Sequence, residues 1–375
     1  MKPILLDKKE NIEDFKRVNP INQAIDEYKN LLEELFLIRN PRYRFDKNYS
    51  AEFEKFIKDH IGAGTIESAG NWFYFPWNKF LVHFLPDDMH QEIRTARNKN
   101  IITADEQQKF YNFKVGVAGM SVGSHPALTL VMMGAARVMK VADPDEISGS
   151  NLNRLRYGFT LLGINKCEVV ARQIYEMNPY AELYEYPKGI TMENIPEFLA
   201  GPPKLDVLVE EVDNLEMKIR LRLEAKKLGI PVVMATDNGD NAIVDIERYD
   251  IDRNLRLFNG AAGNLSIEEF QKFQLQDMPK LATKIAGPNI VVPRMLRSLL
   301  EVGRTLYSWP QLGDAATLSG VAVAYVVKRL ALGEPIKTGK LEINLDSIFD
   351  PEYDSSEAVK KRENEREQFK KTIGL

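Results

Sequence analysis

The pattern of apolar and polar positions changes near residue 113 of the chain. Before it, apolar residues recur at helical spacing over 24–38, and a second short helix is expected over 51–61. Two short aromatic strands, 72–77 and 80–85, then flank a turn. After residue 113, short apolar strands alternate with helices. That alternation is typical of an α/β domain with a mostly parallel sheet.

The clearest α/β unit starts at an apolar strand over 113–118, which runs into the turn Gly119-Met-Ser-Val-Gly-Ser124. A helix follows through Met133, and a second strand over 137–142 ends at Asp143. Strand, glycine turn, helix, strand and acid follow one another within about thirty residues, as in nucleotide-binding βαβ units. Backbone N–H groups at a helix N-terminus suit phosphate, and a terminal acid suits ribose hydroxyls. The alternative is a tight turn of any α/β domain.

The same alternation continues towards the C-terminus. Helices are expected over 165–177, 215–227, 293–303 and 313–332, and strands over 205–210, 231–235 and 243–249, the last of them antiparallel. We predict two domains. Residues 1–100 form an N-terminal α+β extension that could select a substrate. Residues 101–375 form a Rossmann-like, doubly wound, mostly parallel α/β domain with a charged, solvated C-terminal helix.

Composition narrows the class of protein. Hydrophobic residues make up 44% and charged residues 28%, and the formal charge of -4 gives no overall attraction to nucleic acid or anionic membrane. No uncharged apolar stretch reaches the roughly 20 residues that span a bilayer, and the N-terminus does not have the pattern of a secretory signal. The single cysteine, Cys167, allows no intramolecular disulfide and no cysteine-rich zinc site. We therefore expect a cytoplasmic protein without structural zinc, nucleic acid or membrane as partners.

Polar side chains cluster after the strands of the predicted sheet, where parallel folds bind their ligands. An acid, an amide and an arginine lie within twelve residues of one another, a lysine begins the next helix, and an Asp-Asn pair ends a later strand. Arg and Lys suit triphosphate oxygens, and a carboxylate beside them suits Mg²⁺. The pattern predicts a nucleoside triphosphate site. Its members are Asp143, Asp145, Asn151, Arg154, Lys166, Asp213 and Asn214.

The ordered combination resembles the ThiF/MoeB/ubiquitin-activating-enzyme superfamily of adenylyltransferases, from about Asn98 to Gly333. The motifs that carry the resemblance are the glycine turn, D-P-D-E-I-S-G-S-N-L-N-R, L-G-I-N-K ahead of a helix, N-P, and E-V-D-N. The resemblance implies that ATP and Mg²⁺ adenylate a carboxylate with release of pyrophosphate. It also implies a homodimer, and a substrate that is a small acid or the C-terminus of a peptide or ubiquitin-like protein.

The resemblance implies roles for individual residues. Asp143 would bind the ribose, Asn151, Arg154 and Lys166 would surround the triphosphate, and Asp213 would hold Mg²⁺. Arg97 is the candidate for an arginine that the family often donates across a dimer, although a surface arginine at a helix end is an equal interpretation. The nucleotide-binding set is Gly119, Ser121, Gly123, Asp143, Asp145, Asn151 and Asn214, and the catalytic set is Arg154, Lys166, Asp213 and Arg97.

The chain departs from the family at several positions. Ala118, Met120 and Ser121 stand where family glycines are expected, and the zinc cysteines are missing. Cys167 follows Lys166 at a helix start and is interpreted as a packed side chain, so adenylation is either the whole reaction or is followed by direct transfer to an amine or thiol partner.

Two other classes of protein stay open. An NAD- or FAD-dependent oxidoreductase shares the βαβ unit and Asp143, but leaves Arg154, Lys166 and Asp213 unexplained. A non-catalytic scaffold subunit of an activating enzyme agrees with the imperfect glycine turn, but not with the retained polar residues.

Two motifs have no assigned role. Asp237-Asn-Gly-Asp240 follows a strand and either lines the acceptor cleft or forms a plain turn. Ser308-Trp-Pro-Gln-Leu312 precedes the helix over 313–332, and no reaction attaches to it. The charged residues Asp245, Glu247 and Arg248 predict a salt-bridged strand face.

Overall fold

The computed structural model describes residues 2–7, 12–274 and 277–375. The chain divides into two compact units. The first comprises Met1–Tyr111, Val131–Ala135 and Ala171–Ala181, and the second comprises Asn112–Leu130, Ala136–Val170 and Glu182–Leu375. The expected division into residues 1–100 and 101–375 stays a prediction, because compactness alone does not show that either part folds independently.

The first unit contains a small sheet with helices. Its strands are β1 (Ile4–Leu5), β2 (Gln23–Ile25), β3 (Asn71–Phe75) and β4 (Phe80–Phe84), in the order β1-β3-β4-β2. Its helices are α1 (Ile12–Val18), α2 (Tyr28–Arg39), α3 (Tyr49–Ile61), α4 (Asp87–Arg94) and α5 (Ala104–Asn112). The two predicted aromatic strands are confirmed as the antiparallel pair β3–β4. The helix expected from Ala24 begins only at Tyr28, because 23–25 pair in parallel with β4 instead.

The second unit is built on a seven-stranded sheet. Its strands are β5 (Val115–Ala118), β6 (Val138–Ala142), β7 (Glu182–Tyr186), β8 (Val207–Glu210), β9 (Val232–Asn238), β10 (Asn241–Glu247) and β11 (Gly339–Ile343). The strand order is β11-β10-β9-β8-β5-β6-β7. The neighbours from β9 to β7 pair in parallel, and β10 and β11 pair antiparallel. The predicted fold class, a Rossmann-like and mostly parallel α/β sheet, is confirmed.

Helices connect and cover these strands. They are α6 (Ser124–Met132), α7 (Lys166–Met177), α8 (Ile195–Ala200), α9 (Leu215–Leu228), α10 (Ile267–Phe270), α11 (Met278–Ala286), α12 (Pro293–Glu301), α13 (Gly313–Leu332), α14 (Asp346–Phe349) and α15 (Ser356–Ile373). All four residues of β5 and of β8 are buried, as expected for central parallel strands. The chain runs outward from β5 to β7 and then returns to β8 on the other side of β5. This switch point is where open α/β sheets bind ligands.

Several elements differ from the sequence predictions. β7, α8, α11 and β11 lie in stretches where no strand or helix was expected. β7 reads Glu-Leu-Tyr-Glu-Tyr at an edge of the sheet and has no buried residue, so it lacks the apolar run that marks the central strands. The charged C-terminal helix was expected to be solvated throughout. Phe369 of α15 is instead buried in a cluster with Met295 and Leu296 of α12.

Among the described residues, helix α13 is long and apolar enough to span a membrane. About half of its most apolar stretch is buried inside the protein. It packs against β9 and β10. Its buried positions carry small residues, including Ala315, Ala316, Ser319 and Gly320. The small side chains allow the helix to approach the sheet closely, so α13 serves as a core helix of the second unit.

The predicted salt-bridged face of β10 is confirmed as ion pairs, but it lies inside the protein. Asp245 and Glu247 are fully buried. Arg222 of α9 is also fully buried and bridges Glu247, with Nε 2.6 Å from Oε2, to Glu210 at the end of β8. Lys340 Nζ lies 2.6 Å from Asp245 Oδ2. Because each buried charge has an opposite partner, the network ties the end of β8 to β10.

Candidate functional site

The glycine turn between β5 and α6 lies at the switch point of the sheet. Gly119 has φ of +93°, and a Cβ there would lie 2.3 Å from the carbonyl oxygen of Glu211. A Cβ at Gly123 would lie 2.0 Å from the carbonyl oxygen of Gly119. Both positions therefore require glycine. Ala118 and Met120 are fully buried, so the departures from the family pattern at these positions are accommodated in the interior.

The acid that ends β6 is bonded to this turn. Asp143 Oδ2 accepts the Met120 N–H at 2.6 Å, and Oδ1 accepts the Asp145 N–H at 2.8 Å. Burial raises the pKa of Asp143, while Lys166, with Nζ 3.9 Å from Oδ1, and the two N–H donors counter the shift. The structure thus brings the glycine turn and two predicted site residues into direct contact.

Lys166 begins α7 and is buried beside the two acids. Its Nζ donates to Asp145 Oδ2 at 2.8 Å, and its backbone N–H donates to the Asp145 carbonyl at 2.9 Å. The Asp145 side chain is 64% exposed, whereas that of Lys166 is only 6% exposed. Lys166 is therefore linked to the glycine turn through Asp143, whose Oδ1 lies 3.9 Å from Nζ and whose Oδ2 accepts the Met120 N–H.

Arg154 extends from the loop after β6 towards the glycine turn. One guanidinium nitrogen donates to the Ser150 carbonyl at 3.2 Å and to Asn153 Oδ1 at 3.0 Å. The other lies 3.5 Å from Ser121 Oγ, the limit of a weak hydrogen bond. Its Nε is buried and has no hydrogen-bond partner among the described residues.

The electrostatic environment of Arg154 identifies its neighbours at the strand ends. Burial lowers the pKa of Arg154, and the carboxylates of Asp237 and Asp213 oppose that shift. Asp213 is exposed just beyond β8, and Asp237 is the penultimate residue of β9. Thus the ends of β8 and β9 both present acids to the arginine that follows β6.

The two predicted amides make local contacts. Asn151 Oδ1 accepts the Ser148 N–H at 3.1 Å and closes its own turn. Asn214 Oδ1 accepts the Met217 N–H at 3.0 Å and caps α9. Arg97 is exposed in a 3₁₀ turn, Ala96–Asn98, of the first unit. The roles of these three residues in binding stay predictions.

Asp237 is the site residue to which sequence reasoning gave no definite role. It is buried, with Oδ1 accepting the Ser319 hydroxyl at 2.9 Å and Oδ2 accepting Gln311 Nε2 at 3.3 Å. Burial raises the pKa of Asp237, and Ser319, Gln311 and Arg154 counter it. The rule that selected Asp213 after β8, an acid at the carboxyl end of a parallel strand, applies equally to Asp237 at the end of β9.

A partly buried acid lies two residues before the predicted magnesium ligand. Glu211 Oε1 accepts the Ala235 N–H at 2.8 Å, which ties the end of β8 to β9. Burial raises the pKa of Glu211 well above its usual range, with Lys218 acting in the opposite direction. The acids at these strand ends therefore differ in environment, with Asp213 exposed and Glu211 held within the sheet.

The carboxylates at these strand ends determine whether the site can hold Mg²⁺. Within residues 2–7, 12–274 and 277–375, no three His, Cys, Asp or Glu side chains are grouped so as to hold a metal ion. Mg²⁺ usually takes one or two protein carboxylates and completes its shell with phosphate oxygens and water. The exposed Asp213 therefore fits an ion that arrives bound to a triphosphate, rather than one held by protein ligands alone.

The single thiol of the chain is inaccessible. Cys167 is fully buried, with Sγ 3.6 Å from the Asp143 carbonyl oxygen, and burial raises the pKa of the thiol. A nucleophilic cysteine needs a lowered pKa and access to its substrate. The interpretation of Cys167 as a packed side chain agrees with both observations.

Known proteins are similar to this chain over the region that carries these motifs. Residues 95–241 match the ThiF family. The Mycobacterium tuberculosis protein named "Uncharacterized protein MT1398" is 35% identical over 285 residues, which are 76% of this chain and 39% of that protein. "Adenylyltransferase and sulfurtransferase UBA4" of Lodderomyces elongisporus is 25% identical over 145 residues, 38% of this chain and 31% of that protein.

A third relative has a different named activity. The tRNA threonylcarbamoyladenosine dehydratase of Bacillus subtilis is 27% identical over 165 residues, 42% of this chain and 64% of that protein. The chain spans less than two thirds of the length of each of these three relatives.

Proposed function

Because residues 95–241 match the ThiF family, we propose that this chain activates a carboxylate by adenylating it with ATP. The observation that carries the proposal is that Arg154 reaches the glycine turn at Ser121, while Lys166 lies against Asp143, the acid bonded to that same turn. The carboxylate of Asp213 interacts electrostatically with the arginine. A helix N-terminus suits phosphate, and an arginine and a lysine linked to the same turn suit the further charge of a polyphosphate. A dinucleotide cofactor would leave this concentration of positive charge unexplained.

The reaction is a displacement at phosphorus. A carboxylate oxygen of the substrate attacks the α-phosphorus of ATP, the bond to the β-phosphate bridging oxygen breaks, and pyrophosphate leaves with that electron pair. The residues Lys166 and Arg154 align the triphosphate and neutralise the charge that develops on its oxygens. Asp213 would hold Mg²⁺, which when bound adds to that neutralisation.

The fate of the acyl adenylate follows from the inaccessible thiol. Since Cys167 is buried, we propose that the activated acyl group passes directly to an amine or thiol of a second molecule, or to a nucleophile within the same substrate. The named activities of the relatives, an adenylyltransferase with sulfurtransferase and a tRNA dehydratase, differ in this later step. The candidate substrates are small acids and the C-termini of peptides or ubiquitin-like proteins. We extend the proposal to a cytoplasmic homodimer in which Arg97 reaches the phosphates.

The test is ATP–pyrophosphate exchange against a panel of small acids, C-terminal peptides, ubiquitin-like proteins and carboxylate-bearing tRNA. We expect exchange with one of these classes, and a loss of about 10²–10³ in rate for Asp213→Asn and Lys166→Met. Gln368→Glu, an exposed change on α15, serves as a matched control and should keep full activity. Exchange that is unchanged in both site variants would refute the assigned roles.

The same purified protein distinguishes adenylation from the two alternative functions, an oxidoreductase and a non-catalytic scaffold. An oxidoreductase would show the absorbance of a bound flavin or would bind NAD in preference to MgATP. A non-catalytic scaffold would show no exchange with any substrate class and no calorimetric binding of MgATP. Either result would replace adenylation as the function of the site.

A further inference from the structure

The two sequence motifs that have no role in the proposed chemistry contact each other beside Arg154. Asp237 is the penultimate residue of β9 and begins the motif 237–240, and Gln311 belongs to the segment 308–312 that leads into α13. Gln311 Nε2 donates to Asp237 Oδ2 at 3.3 Å, and Ser319 of α13 donates to the other carboxylate oxygen at 2.9 Å. The start of α13 is thus bonded to the end of β9.

The same glutamine also reaches the loop that supplies Arg154. The backbone carbonyl of Gln311 accepts Asn153 Nδ2 at 2.7 Å. Gly313 lies against this loop so closely that a Cβ there would be 2.8 Å from the Asn153 carbonyl oxygen. Gln311 therefore connects Asp237, through its side chain, to Asn153, through its main chain.

Arg154 is held from the other side by a buried histidine. The Arg154 carbonyl lies 2.7 Å from Nε2 of His125, and since a carbonyl only accepts, Nε2 carries the proton. His125 packs on α13, where a Cβ at Gly320 would lie 2.4 Å from the His125 Cβ. Burial lowers the pKa of His125, so the neutral ring is favoured. The main chain at 153–154 is thus fixed between α6 and the start of α13.

We propose that Gln311 is a positioning residue for Arg154, acting through Asn153 and anchored on Asp237. The proposal rests on the proposed function, because it takes Arg154 as a ligand of the ATP phosphates. Gln311 itself contacts no phosphate. Gln311 holds the loop 150–154 close enough to the glycine turn for the Arg154 guanidinium to reach Ser121. Because Arg154 is taken as a ligand of the triphosphate, Gln311 increases the affinity for ATP relative to the affinity for AMP.

Swapping the acid at position 237 and the amide at position 311 tests the hydrogen bond between Gln311 and Asp237. Gln311→Glu keeps the shape of the side chain but at about pH 8 places a carboxylate against that of Asp237, which breaks the bond. Asp237→Asn alone should have a milder effect, because the Gln311 amide can turn its oxygen towards the new donor. The double variant restores an amide–carboxylate hydrogen bond with donor and acceptor exchanged, and Ser319 can still donate to the oxygen of the amide introduced at position 237. The cycle isolates the pair from the rest of the fold.

Two readouts are needed. The first is hydrogen–deuterium exchange of a peptide covering 150–156 in protein without nucleotide, which reports on the loop itself. The second is the ratio of MgATP affinity to AMP affinity by calorimetry, which a merely structural role would not change selectively. We expect Gln311→Glu to speed exchange in 150–156 and to weaken MgATP about tenfold, with AMP unchanged, since a hydrogen bond to a charged group is lost. The double variant should recover both, and Gln368→Glu should resemble wild type.

The outcomes distinguish the two proposals. If hydrogen–deuterium exchange of 150–156 is unchanged in Gln311→Glu, or if the variant loses MgATP and AMP affinity equally, the positioning role of Gln311 is overturned. Failure of the double variant to recover would overturn the bridge to Asp237. If wild type binds no MgATP, the proposed function fails, and the exchange of 150–156 with its recovery then decides alone whether Gln311 holds the loop.

Discussion

Replacing Lys166 by methionine should destabilise the protein by an amount that depends on pH. The side chains of Lys166 and Asp143 are each 6% exposed, and Nζ lies 3.9 Å from Oδ1. At an effective dielectric constant of about 20, unit charges at this distance attract by roughly 4 kcal/mol. Part of that attraction is offset by the cost of burying the ammonium group. Asp143 keeps its two backbone N–H donors in the variant, so we expect a net loss of about 1–3 kcal/mol near neutral pH.

The pH dependence of this loss has a definite sign. Burial already raises the pKa of Asp143, and Lys166 is the strongest influence that opposes the rise, so the variant raises this pKa further. A carboxyl group with a raised folded-state pKa contributes stability at low pH that is lost as the pH rises through that pKa. The difference in free energy of unfolding between wild type and Lys166→Met should therefore grow as the pH rises from the usual pKa of an aspartate through the raised folded-state pKa of Asp143.

Urea unfolding of both proteins across this range measures the difference. Lys188→Met is the matched control, because Lys188 is exposed and in the same unit, and we expect its stability to follow wild type at every pH. A difference for Lys166→Met that shrinks as the pH rises, or one below about 0.5 kcal/mol throughout, would refute the reasoning.

Three further predictions concern the turn, the thiol and the buried arginine. Gly119→Ala should lower the free energy of unfolding by at least about 2 kcal/mol in urea and abolish MgATP binding, because a Cβ meets the Glu211 carbonyl and φ is positive; unchanged stability would contradict this. Cys167 should resist a thiol reagent in folded protein at about pH 8 and react in urea, whereas equally fast modification of the folded protein would contradict the interpretation of Cys167 as a packed side chain. Arg222→Met should cost about 3–5 kcal/mol in urea unfolding, because it leaves the buried Glu247 without its cation and Glu210 with Lys218 alone, and a cost below about 1 kcal/mol would contradict the network.

The sequence predicted the parts of the site that are local in the chain. The unit from β5 to Asp143 was recognisable because strand, glycine turn, helix and acid lie next to one another and each has a characteristic residue type. Asp213 was recognisable because it closely follows an apolar strand. The contact between Asp143 and Lys166 agrees with the expectation that these residues gather at one edge of the sheet.

The remaining contacts depend on tertiary structure. Gln311 meets Asp237, 74 residues away, and Asn153, 158 residues away, and neither distance leaves a local pattern in the sequence. Asn151 and Asn214 were predicted to bind nucleotide, yet both oxygens serve turns in this structure, since asparagine at such positions competes for nearby N–H groups. The acids of β10 were expected to form a salt-bridged strand face. Charged residues are seldom buried without a partner, and only the positions of Arg222 beside Glu247 and of Lys340 beside Asp245 explain why these acids lie inside the protein.

The interior acids have partners that bear on the proposed anion site at the edge of the sheet. Asp143 has a cation and two N–H donors, while Glu210 is bound by Lys218 and Arg222. These carboxylates are therefore neutralised by the protein and do not repel a polyphosphate at full strength. Arg154 retains an unpartnered Nε within the described part of the chain and remains suited to phosphate oxygens.

A crystal structure of the protein with MgATP tests the central claim most directly. The account predicts the triphosphate beside the glycine turn, with its oxygens within hydrogen-bond distance of Lys166 Nζ and of the Arg154 guanidinium, and with the metal ion against Asp213. A nucleotide bound elsewhere, or bound at the turn while Lys166 and Arg154 keep only their present partners Asp145 and Ser150, would contradict it.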